Sequence, residues 1–310
     1  MTNNTKDENK NINLKNYFSL LFGNFKFLTG LNIIFFIPCA AIISLFILVS
    51  VLLTSGINIY LTAISLVFIS PFYSALCHTI VRIINGKKIS LLKNYIYGLK
   101  DNFLQSFLNG MLLYAAFILI YSALSLYGYL AHTYGGVLYI SLVVINIIIA
   151  VAVLFFFMSV SVITVSFELR ASQIFKNAVL AIFGEMKNNL LALCGLIIIF
   201  SLSAGLVFMF GDNIVRIIFF SILMMLFIPS FSALVYFNLL YKSMVSVMSD
   251  SSQTESGKSV EAKITDIEAA EINAQYGENH KDDDYIFYNG KMIKWGKLKE
   301  ILDSNKDEIK

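Results

Sequence analysis

The side chains best suited to nucleophilic or metal chemistry are three histidines and three cysteines in a chain of 310 residues. His78 follows Cys77 directly, so on a helix the two point about 100° apart, which is poor geometry for a thiol and its base. His132 and His280 lie far along the chain, beyond apolar runs that separate all three histidines. Cys39, Cys77 and Cys194 each stand in an apolar run without CxxC spacing, which reads as buried thiols rather than a disulfide framework or zinc site. Paired carboxylates, the usual equipment of hydrolysis, are missing where they would matter: residues 103–167 contain no Asp, Glu, Lys or Arg. No catalytic residue, no cofactor and no metal site is expected. What remains is mild polarity in apolar surroundings. Ser74, His78, Asn109, Asn146 and Ser232 are candidates for interhelical hydrogen bonds or for lining a solute path.

The elements that position these residues follow from composition. The chain is 57% hydrophobic and 14% charged with a mean hydropathy of +0.74, outside the range of soluble domains. Six apolar runs are long enough to cross a bilayer as helices: about Phe27–Leu53, Ile57–Ile84, Phe103–Leu126, Val137–Phe167, Leu190–Phe210 and Ile214–Tyr241. They lack the period-two alternation of a barrel. The expected fold is therefore an all-α integral membrane protein, a bundle of six transmembrane helices. The first run is too long and too late in the chain for a cleaved signal peptide, and reads as a permanent span.

Lys and Arg set the orientation. They occur before the first span (Lys6, Lys10, Lys15, Lys26), after the second (Arg82, Lys87, Lys88, Lys93, Lys100) and after the fourth (Arg170, Lys176, Lys187). The connections at Thr54–Gly56 and Tyr127–Gly136 have none. Both termini are thus expected in the cytoplasm. Lys87, Lys88, Lys93 and Lys100 are also candidates for contact with anionic lipid. Arg216, four residues after Asp212, is placed to pair with it along one helix face.

Three basic-side segments resemble one another. Phe22-Gly23, Tyr97-Gly98 and Phe183-Gly184 each precede Lys, Asn and a span, and each follows a stretch of helical periodicity suited to lying along the inner leaflet. The exits repeat as well, Pro71-Phe72-Tyr73-Ser74-Ala75-Leu76 matching Pro229-Ser230-Phe231-Ser232-Ala233-Leu234, with Ser159 and Ser161 near the corresponding place in the middle copy. Three copies of an interfacial helix followed by a hairpin are expected. Pro38, Pro71 and Pro229 all fall inside spans, where each frees a carbonyl and should kink its helix, as a hinge or as a static bend.

Several blocks resemble the YesL-like family of bacterial membrane proteins, whose biochemical function is unassigned. They are Ser70-Pro71-Phe72-Tyr73-Ser74-Ala75-Leu76 with Arg82 and Asn85-Gly86-Lys87; Leu99-Lys100-Asp101-Asn102-Phe103-Leu104-Gln105-Ser106; Val165-Ser166-Phe167-Glu168-Leu169-Arg170 with Gln173 to Ala178; and Phe227-Ile228-Pro229-Ser230-Phe231. The resemblance covers about residues 14–245. It implies a bacterial cell-membrane location and, from the family's association with carbohydrate uptake, an accessory role in sugar transport or envelope physiology.

Outside that body, residues 1–13 read as a disordered start and 246–283 as a polar linker with a helix at Val260–Gln275. Residues 284–306 read as a small module: a hairpin from Tyr285 to Trp295 turning at Asn289-Gly290, then a short helix from Gly296 to Ser304. Two strands and a helix are marginal alone, so the module should dock on the body or on a protein partner, with Tyr285, Phe287, Tyr288 and Trp295 as docking residues. The function expected from the sequence is a non-enzymatic membrane accessory or scaffold. The alternative is a transporter or lipid-handling protein for a neutral or amphipathic solute. The lipid bilayer is a partner on either reading, and nucleic acid is not.

Overall fold

The computed structural model describes residues 14–86, 90–167, 169–251, 285–288, 291–296 and 298–299. These are almost entirely helical. In order they form α1 (Leu14–Gly23), α2 (Phe25–Thr54), α3 (Ile59–Ala63), α4 (Ser65–Ile84), α5 (Leu91–Tyr134), α6 (Val137–Ser166), α7 (Ala171–Gly184), α8 (Met186–Phe208), α9 (Asn213–Leu226), α10 (Ile228–Ser251), β1 (Tyr285–Tyr288) and β2 (Lys291–Lys294). Five helical segments are long and apolar enough to cross a membrane, with α3 and α4 counted as one, and six if α9 and α10 form one bent span. The chain is built as a multi-pass membrane protein.

Its surface confirms the setting. Leu45, Leu48, Ile148, Ile197, Phe200 and Ile217 are among many large apolar side chains left exposed, while Asn32, Asn102, Asn189 and Ser159 are buried. A soluble protein would have this arrangement reversed; in a bilayer the lipid covers the apolar faces and helix contacts satisfy the polar groups. Burial is concentrated toward the end of the bundle where Arg82, Lys93, Lys100, Arg170 and Lys187 lie. There Leu28, Leu31, Leu76, Ile80, Ile163, Leu234, Phe237 and Leu240 form the core. Toward the other end fewer residues are buried, and α9 buries none at all.

Boundaries differ from the hydropathy runs in two places. The third span and the stretch before it are one unbroken helix, α5, of 44 residues, so no separate interfacial helix precedes this span. No proline or positive-φ residue interrupts it, and the Asn102 Nδ2 donates back to the Gly98 carbonyl at 3.2 Å, within the same helix. The connection to α6 shrinks to Gly135 and Gly136, both at positive φ (66° and 96°), which suits residues without Cβ. Tyr127, Tyr129 and Tyr134 consequently sit on helix rather than in a loop. Before α2 and α8 the expected break is present, with α1 and α7 ending at Gly23 and Gly184.

The second span is capped at its apolar-side end by Asn58, whose Oδ1 accepts from the Tyr60 and Leu61 amides at 2.9 and 3.4 Å. Ser50 closes the preceding turn, accepting from the Asn58 amide at 2.6 Å. At the start of α9 the expected pairing of Asp212 with Arg216 gives way to two local duties. The Asp212 carboxylate caps the helix through the Ile214 amide at 2.6 Å, and the Arg216 Nε donates to the Phe210 carbonyl at 2.6 Å. Free N–H and C=O groups at helix ends compete for these charges, and here they win over the ion pair.

The tail strands are antiparallel, with Tyr288 opposite Lys291 and Tyr285 opposite Lys294, the register expected of a two-residue connection. Strand β2 lies against α6, and Trp295 and Leu298 are buried at 7% and 0% exposure. The expected helix at Val260–Gln275 and most of that at Gly296–Ser304 lie outside the described residues.

Candidate functional site

The prolines act unequally. α2 runs unbroken through Pro38 and α4 through Pro71, whereas the sixth span breaks at Phe227, and α9 and α10 meet at 46°. Pro229 cannot donate to the Met225 carbonyl. The next bond, from the Ser230 amide to the Leu226 carbonyl, is intercepted by Asn32 of α2. Its Nδ2 donates to the Leu226 carbonyl at 2.8 Å and its Oδ1 accepts from the Ser230 amide at 2.8 Å. One carboxamide thus fills the gap of a missing backbone hydrogen bond, and the Ser230 hydroxyl adds a bond to the Leu28 carbonyl at 3.2 Å. Two successive ladder bonds lost at one place explain why this span breaks at its proline while α2 and α4 continue through theirs.

At Pro71 the carbonyl freed is that of Val67, four residues earlier. Gly110 of α5 lies against it: a Cβ built on Gly110 would stand 2.7 Å from the Val67 oxygen and 2.8 Å from the Ser70 Cβ. The close approach covers the orphan carbonyl and locks α4 against α5. A second glycine of α5, Gly98, fits over the fully buried His78, whose ring atoms would be 2.8–2.9 Å from an added Cβ.

Between α4, α5, α6, α8 and α10 lies a cavity of about 320 Å³. Its walls are mainly apolar, and the polar residues along them are Ser70, Ser74, Ser106, Ser161, Thr164, Ser232, the paired Tyr73 and Tyr236, and Asn109. No charged side chain lines it. Asn109 donates from Nδ2 to the Thr164 Oγ1 at 3.3 Å, and the two phenol oxygens are 2.7 Å apart. Ser74 stands about 15 Å along α4 from Ile84, near the middle of the second span.

Three of these hydroxyls stand out. Ser74, Ser106 and Ser232 are buried to 7%, 1% and 9% exposure, and their Oγ atoms have no hydrogen-bond partner. Serines in a membrane helix usually donate to the carbonyl four residues earlier, as Ser141, Ser161, Ser203 and Ser221 do at 2.7–2.8 Å. Ser74 and Ser232 hold matching places in the two Pro-x-x-Ser-Ala-Leu blocks, and the alanine and leucine that follow each are fully buried.

Of the candidates read from sequence, Ser74, Asn109 and Ser232 are brought together in this cavity. Asn146 lies elsewhere, its Nδ2 stapling α6 to the Ile120 carbonyl of α5 at 3.0 Å, and His78 sits in the α4–α5 contact with its ring 5.7 Å from that of Tyr97. Lys93 and Lys100 are exposed, one above the other on α5, and Lys87 and Lys88 lie outside the described residues. Trp295 is buried at the module. Tyr285, Phe287 and Tyr288 belong to β1. The sequence reading passed over Ser106, Tyr73, Tyr236 and Asn32. A polar residue well inside an apolar run was the available signal, and Asn32 carries it as plainly as Asn109.

Among the described residues no group of three or more His, Cys, Asp or Glu could hold a metal ion. Comparison of the chain with protein-family models, with curated proteins and with solved structures gives no match.

Proposed function

We propose that the protein is a non-enzymatic membrane protein that binds a neutral or amphipathic solute in the cavity between α4, α5, α6, α8 and α10. One observation carries this reading: three serines with buried hydroxyls that have no partner, Ser74, Ser106 and Ser232, line a cavity inside the helix bundle that has no charge in its walls. An unpaired hydroxyl in such surroundings forfeits a hydrogen bond that a solute would restore. Reconstituted in vesicles, the wild-type chain is expected to bind or move at least one solute from a panel of monosaccharides and neutral lipids. The cavity-filling Ser106→Leu variant should do so at least tenfold less well. Silence across the panel, or equal behaviour of the variant, overturns the reading.

The same proposal places the chain in a bacterial cell membrane with both termini cytoplasmic, and takes it as related to the YesL-like family through the blocks quoted above. It includes the threefold repeat. Support comes from Asn24, Asn102 and Asn189, each at a span entry and each donating to a carbonyl upstream: Leu20, Gly98 and Ala181, at 3.1, 3.2 and 3.2 Å.

A second reading, an accessory or scaffold that recruits a partner through its tail, is favoured by the burial of Trp295 and Leu298. On that reading the module is a seated platform rather than a loose end. Trp295→Ser should release it, seen as protease cleavage within residues 252–299 at least several-fold faster while the body stays intact. Unchanged cleavage would sink the idea.

A further inference from the structure

We propose that the occupant is a single uncharged lipid with a hydroxyl or ester head, of the diacylglycerol class, entering sideways from the bilayer between α6 and α8. This rests on the reading of the cavity as a solute site and names the class of solute.

The walls exclude charge. A phosphate or ammonium head would have to leave water for a site with no ionic partner, which membrane interiors penalise heavily. A hydroxyl or ester costs far less to desolvate, and Ser74, Ser106 and Ser232, which line the cavity with hydroxyls buried and unpaired, can each turn a donor or acceptor to it by a side-chain rotation. Serine is suited to this, because its hydroxyl rotates to serve either role.

The direction of entry follows from the rim. Leu154 on α6 and Phe200 on α8 both line the cavity and are both exposed, at 39% and 49%. Each lies well inside its apolar span, so what they are exposed to is hydrocarbon. α6 and α8 each pack on α10, and among the described residues they make no extensive contact with each other. The space between them is therefore a side mouth through which an acyl chain can trail while the head sits inside. A volume of about 320 Å³ is at the small end of ligand pockets, enough for a glyceryl head and its first methylenes but not a whole lipid.

The test uses the full chain in phosphatidylcholine nanodiscs and native mass spectrometry, with dioleoylglycerol, dioleoylphosphatidylglycerol and glucose as separate probes. One dioleoylglycerol per protein is expected to be retained. Retention should fall at least tenfold in Leu154→Trp, which plugs the mouth from a lipid-facing position and so leaves folding alone, and severalfold in Ser232→Ala, which removes a hydroxyl without adding bulk. Preference for dioleoylphosphatidylglycerol, or undiminished retention in both variants, overturns the proposal. Glucose binding without dioleoylglycerol binding overturns the lipid assignment while leaving a neutral-solute site standing. Binding of none of the three, with silence in the vesicle assay, overturns both.

Discussion

Asn32→Leu is expected to lower the unfolding free energy by roughly 2–4 kcal/mol, a large loss for a substitution that makes the chain more hydrophobic. Leucine is close to asparagine in size and suits a transmembrane helix, so transfer free energy alone predicts the opposite sign. The reason lies in α10, not α2. The Asn32 carboxamide is what satisfies the Leu226 carbonyl and the Ser230 amide at the 46° bend, and Ser230 is fully buried. Without it two backbone groups face apolar surroundings, each costing about 1–3 kcal/mol. Some of that cost returns if α9 and α10 straighten to remake the bond themselves. Straightening would pull Phe227 and Phe231 from the Phe25 ring, now 5.9 and 6.1 Å away between centroids. Asn109→Ala is the comparator: its single bond to Thr164 is long at 3.3 Å, and interhelical side-chain bonds of this kind average about 0.6 kcal/mol. Reversible unfolding in mixed micelles measures both. Equal losses for the two variants would show that Asn32 is an ordinary interhelical contact.

Gly110→Ala and Gly128→Ala should shift stability in opposite directions although both lie on α5. A methyl at Gly128 meets nothing within 4 Å, so alanine there gains helix propensity worth up to about 1 kcal/mol. A methyl at Gly110 would stand 2.7 Å from the Val67 oxygen and 2.9 Å from its Cα, and these are backbone atoms that no rotamer change can move. α4 and α5 must part, at a cost of about 1–3 kcal/mol for overpacking, and the carbonyl freed by Pro71 is uncovered as they do. The same micelle unfolding, run on both variants side by side, reads the difference in sign. Two stabilising alanines would mean that α4 and α5 separate freely and that Gly110 is no lock.

Much of this molecule is legible in its sequence, because lipid imposes a simple rule. Backbone groups must bond within the segment, so a run of about 20 apolar residues becomes a helix wherever its partners lie. That rule finds the spans, and the alternation of lysine-rich and lysine-free connections gives their sequence of turns. It also finds Ser74 and Ser232, since a repeated block marks both.

The absence of charge from residues 103–167 is likewise fully determined by sequence. What it means at a site was not. Whether α5 continues through Gly98 to Tyr134, whether a proline bends its helix, and which polar side chains meet depend on neighbours distant in the chain. Asn32 reaches across nearly 200 residues to the sixth span, and Ser106 joins Ser74 and Ser232 only because α5 packs between α4 and α6. Hydropathy averages along the chain and cannot report such meetings. The cavity has three such serines in its wall because α4, α5 and α10 bring them to one unfilled space, and only tertiary packing brings that about.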